Sequence, residues 1–211
     1  MRRLVLASTS PRRRDLLALL GIPFEIRDPI YEERLVSDRS ADELVRSFAQ
    51  RKADSVAQHA PDALVLASDT LIEVDGELLG KPGDLVDARR ILRHLAGREH
   101  LVKTAVTLAC RGRHLETTDI SSACIRMKPF DAEAHERYLT TGDSLGKAGA
   151  YSIQGPGADL IESLEGDFTT VVGFPLRLVV RMLQESGMTV PVDIDMVYDR
   201  KPYSNWARFA D

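Results

Sequence analysis

Three stretches of this sequence gather residue types suited to work on phosphate. The first, Ser8-Thr9-Ser10-Pro11-Arg12-Arg13-Arg14, sets three hydroxyls beside three guanidinium groups, with Ser10 suited to cap a helix and Pro11 to its first turn. Free amides, a positive helix end and guanidinium forks favour a phosphate there, where a plainer reading sees only a solvated charge run. The second centres on Asp69 in Ser68-Asp69-Thr70, which the sequence sets at the end of the apolar run Leu64–Ala67. A carboxylate in that place accepts a proton from water or holds a divalent cation, or else merely caps a loop. Lys81, between Gly80 and Pro82, is a compact ammonium suited to a phosphate oxygen; Lys52 and Lys147 are further amines, each equally readable as a surface residue. The third stretch runs from Lys147 to Gly157, where small residues let backbone approach a ligand, Tyr151 has a ring to stack, and Gln154 offers a donor and an acceptor to a base edge.

Other chemistries are excluded. The Gly-x-x-x-x-Gly-Lys-Ser/Thr spacing and the dinucleotide fingerprint are absent, no Gly-x-Ser-x-Gly elbow marks a serine hydrolase, and the 5 histidines lack metal-ligand spacing. Lys and Arg number 28 against 32 Asp and Glu, a net charge of −4, so nothing in the overall balance calls for a nucleic-acid polymer or an acidic membrane. Any polyanion must meet a local patch. With 211 residues, 44% of them hydrophobic, the chain is long and apolar enough for one folded domain or two lobes sharing a core. Its 2 cysteines, Cys110 and Cys124, are too few for a disulfide framework and fit a reducing compartment. No apolar run approaches the roughly 18 residues of a membrane span, and the opening Met1 to Ala7 is too short and too soon followed by charge for a signal peptide. Cytoplasmic residence is the expectation.

The elements that must position these residues follow from local pattern. Leu4–Ala7 reads as a buried strand, followed by a helix that starts at Pro11, carries Leu16, Leu17, Leu19 and Leu20 as its apolar face and stops at Gly21. Phe24–Arg27 predicts a second strand. Ser40-Ala41-Asp42-Glu43 is a capping box ahead of a helix to about His59. Leu64–Ala67 is a buried strand, and Asp75-Gly76 joins Leu71–Val74 to Glu77–Leu79 as a hairpin. Asp84 caps a helix to Gly97; long strands His100–Ala109 and His114–Met127 follow; then a helix near Ala132–Thr140, a strand near Leu160–Leu164, and a last helix from Pro175. Intermixed helices and strands predict an α/β architecture, a mixed twisted β-sheet flanked by helices. The tail from Val190 to Asp211 sets Tyr198, Tyr203, Trp206 and Phe209 among charges and is expected to pack on the body or on a partner.

Taken in order, Leu6-Ala7-Ser8-Thr9-Ser10-Pro11-Arg12-Arg13, Ser68-Asp69-Thr70, Leu79-Gly80-Lys81-Pro82, Gly97 to His100 with Thr104, Lys147 to Gly155 and Val171-Val172-Gly173-Phe174-Pro175 resemble the Maf family of nucleoside triphosphate pyrophosphatases over roughly residues 4–186. The resemblance implies two lobes with a central cleft, similar to inosine triphosphate pyrophosphatases, a divalent metal cation (Mg or Mn), and a homodimer. It divides the chain into a domain over 1–187 and a C-terminal extension over 188–211. It implies Asp69 as catalytic proton acceptor and metal ligand, with Glu33 as a second metal position beside Glu32. Ser8, Arg13, Lys52 and Lys81 match its phosphate-binding positions, and Arg12, Thr70 and Gln154 match the three positions associated with substrate choice. That trio is similar to the branch acting on dTTP and UTP; an aromatic residue, Gln and Glu would mark the 7-methyl-GTP branch. A modified-nucleotide substrate and a nucleotide-binding regulator of cell division are the alternatives. The chain departs from the family pattern at Gly146, where an acidic residue is usual, at Ser152, where Gly is usual, and at Phe174 in place of Leu.

Overall fold

The computed structural model describes residues 3–31 and 39–209. It contains the expected mixed sheet, ordered β2-β1-β3-β5-β6-β7, with β4 paired to β3. These strands are β1 (Leu4–Ala7), β2 (Phe24–Arg27), β3 (Leu64–Val74), β4 (Glu77–Leu79), β5 (Glu99–Cys110), β6 (Leu115–Met127) and β7 (Ile161–Glu165). The helices are α1 (Pro11–Ala18), α2 (Ala41–Ala57), α3 (Leu85–Leu95), α4 (Ala132–Thr140), α5 (Phe168–Val172), α6 (Leu176–Glu185) and α7 (Ile194–Arg200). Strand β1 runs parallel to both β2 and β3, with Leu4, Val5 and Leu6 opposite Leu64, Val65 and Leu66. Among the described residues, no helix is long and apolar enough to cross a membrane.

The chain forms two compact units. Unit 1 comprises Met1–Asp69, Thr104–Ser121 and Gly173–Arg200; unit 2 comprises Thr70–Lys103, Ser122–Val172 and Lys201–Asp211. Unit 1 is built on the parallel strands. Small residues on α2 (Ala53, Ala57) and on the strands (Ala7, Ala67) join Val5, Val56 and Val65 in one cluster of its core, where their size lets the helix approach the sheet closely. Helix α2 starts as its sequence dictates: the Ser40 side chain accepts from the Glu43 amide while the Glu43 carboxylate accepts from the Ser40 amide. In unit 2, the hairpin of β3 and β4 turns through Asp75 (φ 51°) and Gly76 (φ 81°), the paired positive dihedrals a tight two-residue turn needs. Both cysteines are free, as expected.

One local expectation changes, and two short helices lie beyond those that local pattern predicts. Asp69 does not end a strand: β3 is one 11-residue strand through Ser68-Asp69-Thr70, because β-branched Thr70, Ile72 and Val74 extend it to the β4 ladder. Helix α5 was not foreseen, since five residues rich in Val and Thr lack helical periodicity; the Asp167 carboxylate starts it by accepting from the Thr169 amide at 2.9 Å. Helix α7 was likewise unforeseen and begins at a similar turn, the Asp195 amide donating to the Asp193 carboxylate at 3.0 Å.

Candidate active site

Within unit 1, β1 delivers its chain to a buried Ser8, whose hydroxyl oxygen accepts from the Ser10 amide at 3.1 Å. Ser10 in turn caps α1 by accepting from the Arg13 amide. These two turns set the first residues of α1, so Arg12 and Arg13 stand half-exposed at the helix start. Arg13 is held firmly. Its Nε donates to the Gly173 carbonyl at 3.0 Å and its Nη1 to the Ser68 carbonyl at 2.7 Å. The Gly173 carbonyl also accepts from the Ser68 hydroxyl at 3.0 Å. Gly173 has φ 100°, a backbone conformation an L side chain would strain, and this accounts physically for the glycine in Val172-Gly173-Phe174.

Next to Ser68 in β3, Asp69 is only 3% exposed and forms an ion pair, through Oδ1, with the Nζ of Lys52. Asp69 lies three residues past Leu66, the last β3 position in register with β1, where the neighbouring chain has left the ladder for the Ser8 loop. Lys52 is 7% exposed on the inner face of α2. Residue type alone leaves Lys52 readable as a surface lysine, and the family resemblance marks it as a phosphate-binding position, but the helical spacing also holds a signal of burial. Phe48, Ala49, Lys52, Ala53 and Val56 follow the helical repeat of a buried stripe, and a lysine in such a stripe needs a partner. A buried ion pair adds little to stability over an apolar pair of the same shape, so its presence beside a hydroxyl-rich, Arg-bearing loop points to chemistry.

The remaining expected site residues belong to unit 2. Thr70 follows Asp69 and is half-exposed; Lys81 is exposed; Gln154 is half-exposed on the Gly-rich segment. The Gly149 amide donates to the Gly80 carbonyl at 3.2 Å, which ties the Gly-rich segment to the residue before Lys81. Gly149 (φ 68°) and Ala150 (φ 60°) bend the segment, and a Cβ on Gly149 would lie 2.4 Å from the Ile72 side chain. Tyr151 is not available to stack on a ligand ring: it is buried, and its hydroxyl meets His100 Nε2 at 2.8 Å. Burial lowers the His100 pKa to about 4 and raises that of the Tyr151 phenol. Gly146 has φ 70°, and the adjacent Lys147 pairs with Asp143 at 2.9 Å.

A hard divalent cation takes oxygen ligands, and Mg²⁺ is commonly held by one or two carboxylates with water and phosphate oxygens completing the shell. Asp69 offers such a carboxylate. Among the described residues no group of three or more His, Cys, Asp or Glu is placed to hold an ion. Glu33, the second expected metal position, lies outside the described residues.

Residues 3–186 match the family model described as Maf-like protein. The dTTP/UTP pyrophosphatase of Symbiobacterium thermophilum is 44% identical over 190 residues, covering 90% of this chain and 97% of that protein. The dTTP/UTP pyrophosphatase of Bacillus velezensis is 42% identical over 184 residues, covering 87% and 96%. A solved nucleoside-triphosphatase (dITP/XTP pyrophosphatase) structure from Mycobacterium abscessus aligns with a TM-score of 0.44 at 15% identity, covering 90% of this chain and 100% of that one.

Proposed function

We propose, on the premise that the chain belongs to the Maf-like protein family, that it hydrolyses dTTP and UTP to the nucleoside monophosphate and pyrophosphate. The observation that carries this reading is the buried Asp69–Lys52 pair, next in the chain to the Ser68 carbonyl that Arg13 grips and in the same unit as the Ser8 loop. The relatives' names favour the pyrimidine substrates over 7-methyl-GTP and over a purely regulatory role.

In the proposed reaction, water attacks the α-phosphorus and the bond from that phosphorus to its β-bridging oxygen breaks. Asp69 takes the proton that water loses. Lys52, by holding Oδ1, fixes the orientation of the carboxylate and balances its charge in a buried setting. Ser8, Arg12, Arg13, Lys52 and Lys81 offset the charge that builds on the leaving pyrophosphate. Arg12, Thr70 and Gln154 select the base. Asp69, with Glu33, would hold a Mg²⁺ or Mn²⁺ ion, which supplies further neutralisation of phosphate charge when bound. The protein acts as a homodimer, as the family resemblance implies, and light scattering tests that directly.

The deciding experiment measures pyrophosphate release from a panel of nucleoside triphosphates with Mg²⁺ and Mn²⁺, for the native chain and Asp69→Asn. dTTP and UTP should lead the panel. Asp69→Asn should lose about 10²–10⁴-fold in kcat while nucleotide binding persists. Near-native turnover in that variant refutes the role of Asp69, and a purine-led panel refutes the substrate class.

A further inference from the structure

The segment after Lys201 lies outside the residues matched by the family model, and in unit 2 it runs against the Gly-rich segment. Trp206 is 2% exposed and stacks on Phe168, with ring centroids 5.2 Å apart and planes 9° from parallel. Tyr203 also stacks on Trp206, with ring centroids 6.3 Å apart and planes 16° from parallel. Arg208 adds an exposed ion pair to Asp159 at 2.9 Å. The tail is thus anchored by a large buried aromatic, the kind of side chain that contributes most burial per residue.

That anchor delivers one side chain to a particular place. Asn205 Nδ2 donates to the Ile153 carbonyl at 3.0 Å and to the Gly155 carbonyl at 3.0 Å. These are the residues immediately before and after Gln154. An amide nitrogen carries two hydrogens, so both are committed to one loop, and because both partners are acceptors the orientation of the Asn205 amide is determined. The peptide that leads into Gln154 and the one that follows Gly155 are therefore held from outside the loop, one on each side of Gln154. From the inside, the loop is already tight: a Cβ on Gly155 would lie 2.7 Å from Asp143 Oδ2, and one on Gly157 would lie 2.7 Å from the Ser152 nitrogen.

We infer that the C-terminal tail is a specificity clamp: Asn205, anchored by Trp206, is a positioning residue that holds Gln154 in its base-reading orientation. The inference rests on the proposed role of Gln154 in base selection. A side chain selects a hydrogen-bonding base edge only if its backbone is held, because a freely turning loop would satisfy several edges equally. The tail supplies that rigidity from residues that a reading of the matched domain alone would leave aside.

The test compares Asn205→Ala, Asn205→Asp and Gln154→Ala with the full native chain. Aspartate keeps the shape of Asn205 but replaces both donors by acceptors, and its partial exposure leaves the fold intact. KM and kcat are measured for dTTP, UTP and dCTP, and amide hydrogen exchange is followed over residues 152–157. Both Asn205 variants should raise KM for dTTP and UTP by about 3- to 30-fold, the worth of one or two ordinary hydrogen bonds. They should leave kcat within about 2-fold, narrow the preference over dCTP, and speed exchange in the loop. Unchanged KM and preference, or a loss confined to kcat, overturns the inference. If Gln154→Ala leaves base preference untouched, the base-reading role itself fails, and exchange over 152–157 then decides the clamp alone: faster exchange in the Asn205 variants supports it, unchanged exchange overturns it.

Discussion

Replacing Lys52 by Met and Asp69 by Asn or Leu, singly and together, probes both the architecture of the site and its chemistry. Each residue is under 10% exposed, and the two form an ion pair between the inner face of α2 and β3. In Lys52→Met, the Asp69 carboxylate stays buried without that ammonium; in Asp69→Leu, the ammonium stays buried without that carboxylate. Removing one partner of such a pair typically costs about 3–5 kcal/mol, far more than the roughly 0–1 kcal/mol of a surface pair. For a chain of this length that corresponds to a fall in melting temperature of about 6–20 °C. The double variant Lys52→Met/Asp69→Leu, which replaces charge by apolar volume on both sides, should return to within about 1–2 kcal/mol of the native chain or exceed it. Denaturant unfolding followed by circular dichroism at neutral pH, at low and high salt, measures all four corners, and salt should matter little because the pair is buried. Turnover separates function from fold: the double variant should be stable yet lose pyrophosphate release as fully as Asp69→Asn. Single-variant costs below about 1 kcal/mol, or additive costs in the double, would refute the account of a buried, coupled pair. A stable double variant that still turns over would refute its catalytic use.

Acidification should destabilise the protein through His100, because burial lowers its folded pKa to about 4 from an ordinary value of 6.5. The unfolded chain then binds the proton first, so stability is full above pH 6.5 and declines towards about pH 4, by up to about 3 kcal/mol; His100→Gln, which does not titrate, should flatten that part of a stability–pH curve. Gly149→Ala should lose more than about 2 kcal/mol, from the strain of φ 68° and from a Cβ placed 2.4 Å from Ile72 Cδ1. Adding Ile72→Val, which deletes that methyl, should recover part of the unfolding midpoint, and no recovery would mean the clash is not the cause. Arg13→Lys should lose about 1–3 kcal/mol and reduce kcat/KM, since one ammonium cannot reproduce the fork onto the Ser68 and Gly173 carbonyls; unfolding and initial-rate measurements check both.

Local chemistry made much of the fold legible in the sequence. A cap such as Ser40-Glu43 or Ser10, a turn such as Asp75-Gly76, and a short apolar run such as Leu4–Ala7 act over a few residues, so their outcome is written where they stand. The same holds for the residue types of the proposed site: Ser8, Arg12, Arg13, Asp69, Lys81 and Gln154 stand out by kind and order, and the family resemblance follows from that order. Elements that depend on a partner were less legible. The extension of β3 through Asp69 depends on its ladder with β4, and the short helices α5 and α7 lack the length for a periodic signal. Tyr151 shows the same limit, for its ring turned inward to His100.

Sequence alone therefore determined an α/β chain with a hydroxyl- and Arg-rich loop, a candidate carboxylate and a Gly-rich segment, because caps, turns and side-chain chemistry are properties of neighbouring residues. Only the tertiary structure decided that Lys52 is buried against Asp69, that Arg13 grips the carbonyls of Ser68 and Gly173, and that Asn205 holds the peptides around Gln154. Each of those contacts joins residues from 17 to 160 positions apart in the chain, and burial at such separations is settled by packing rather than by any local preference.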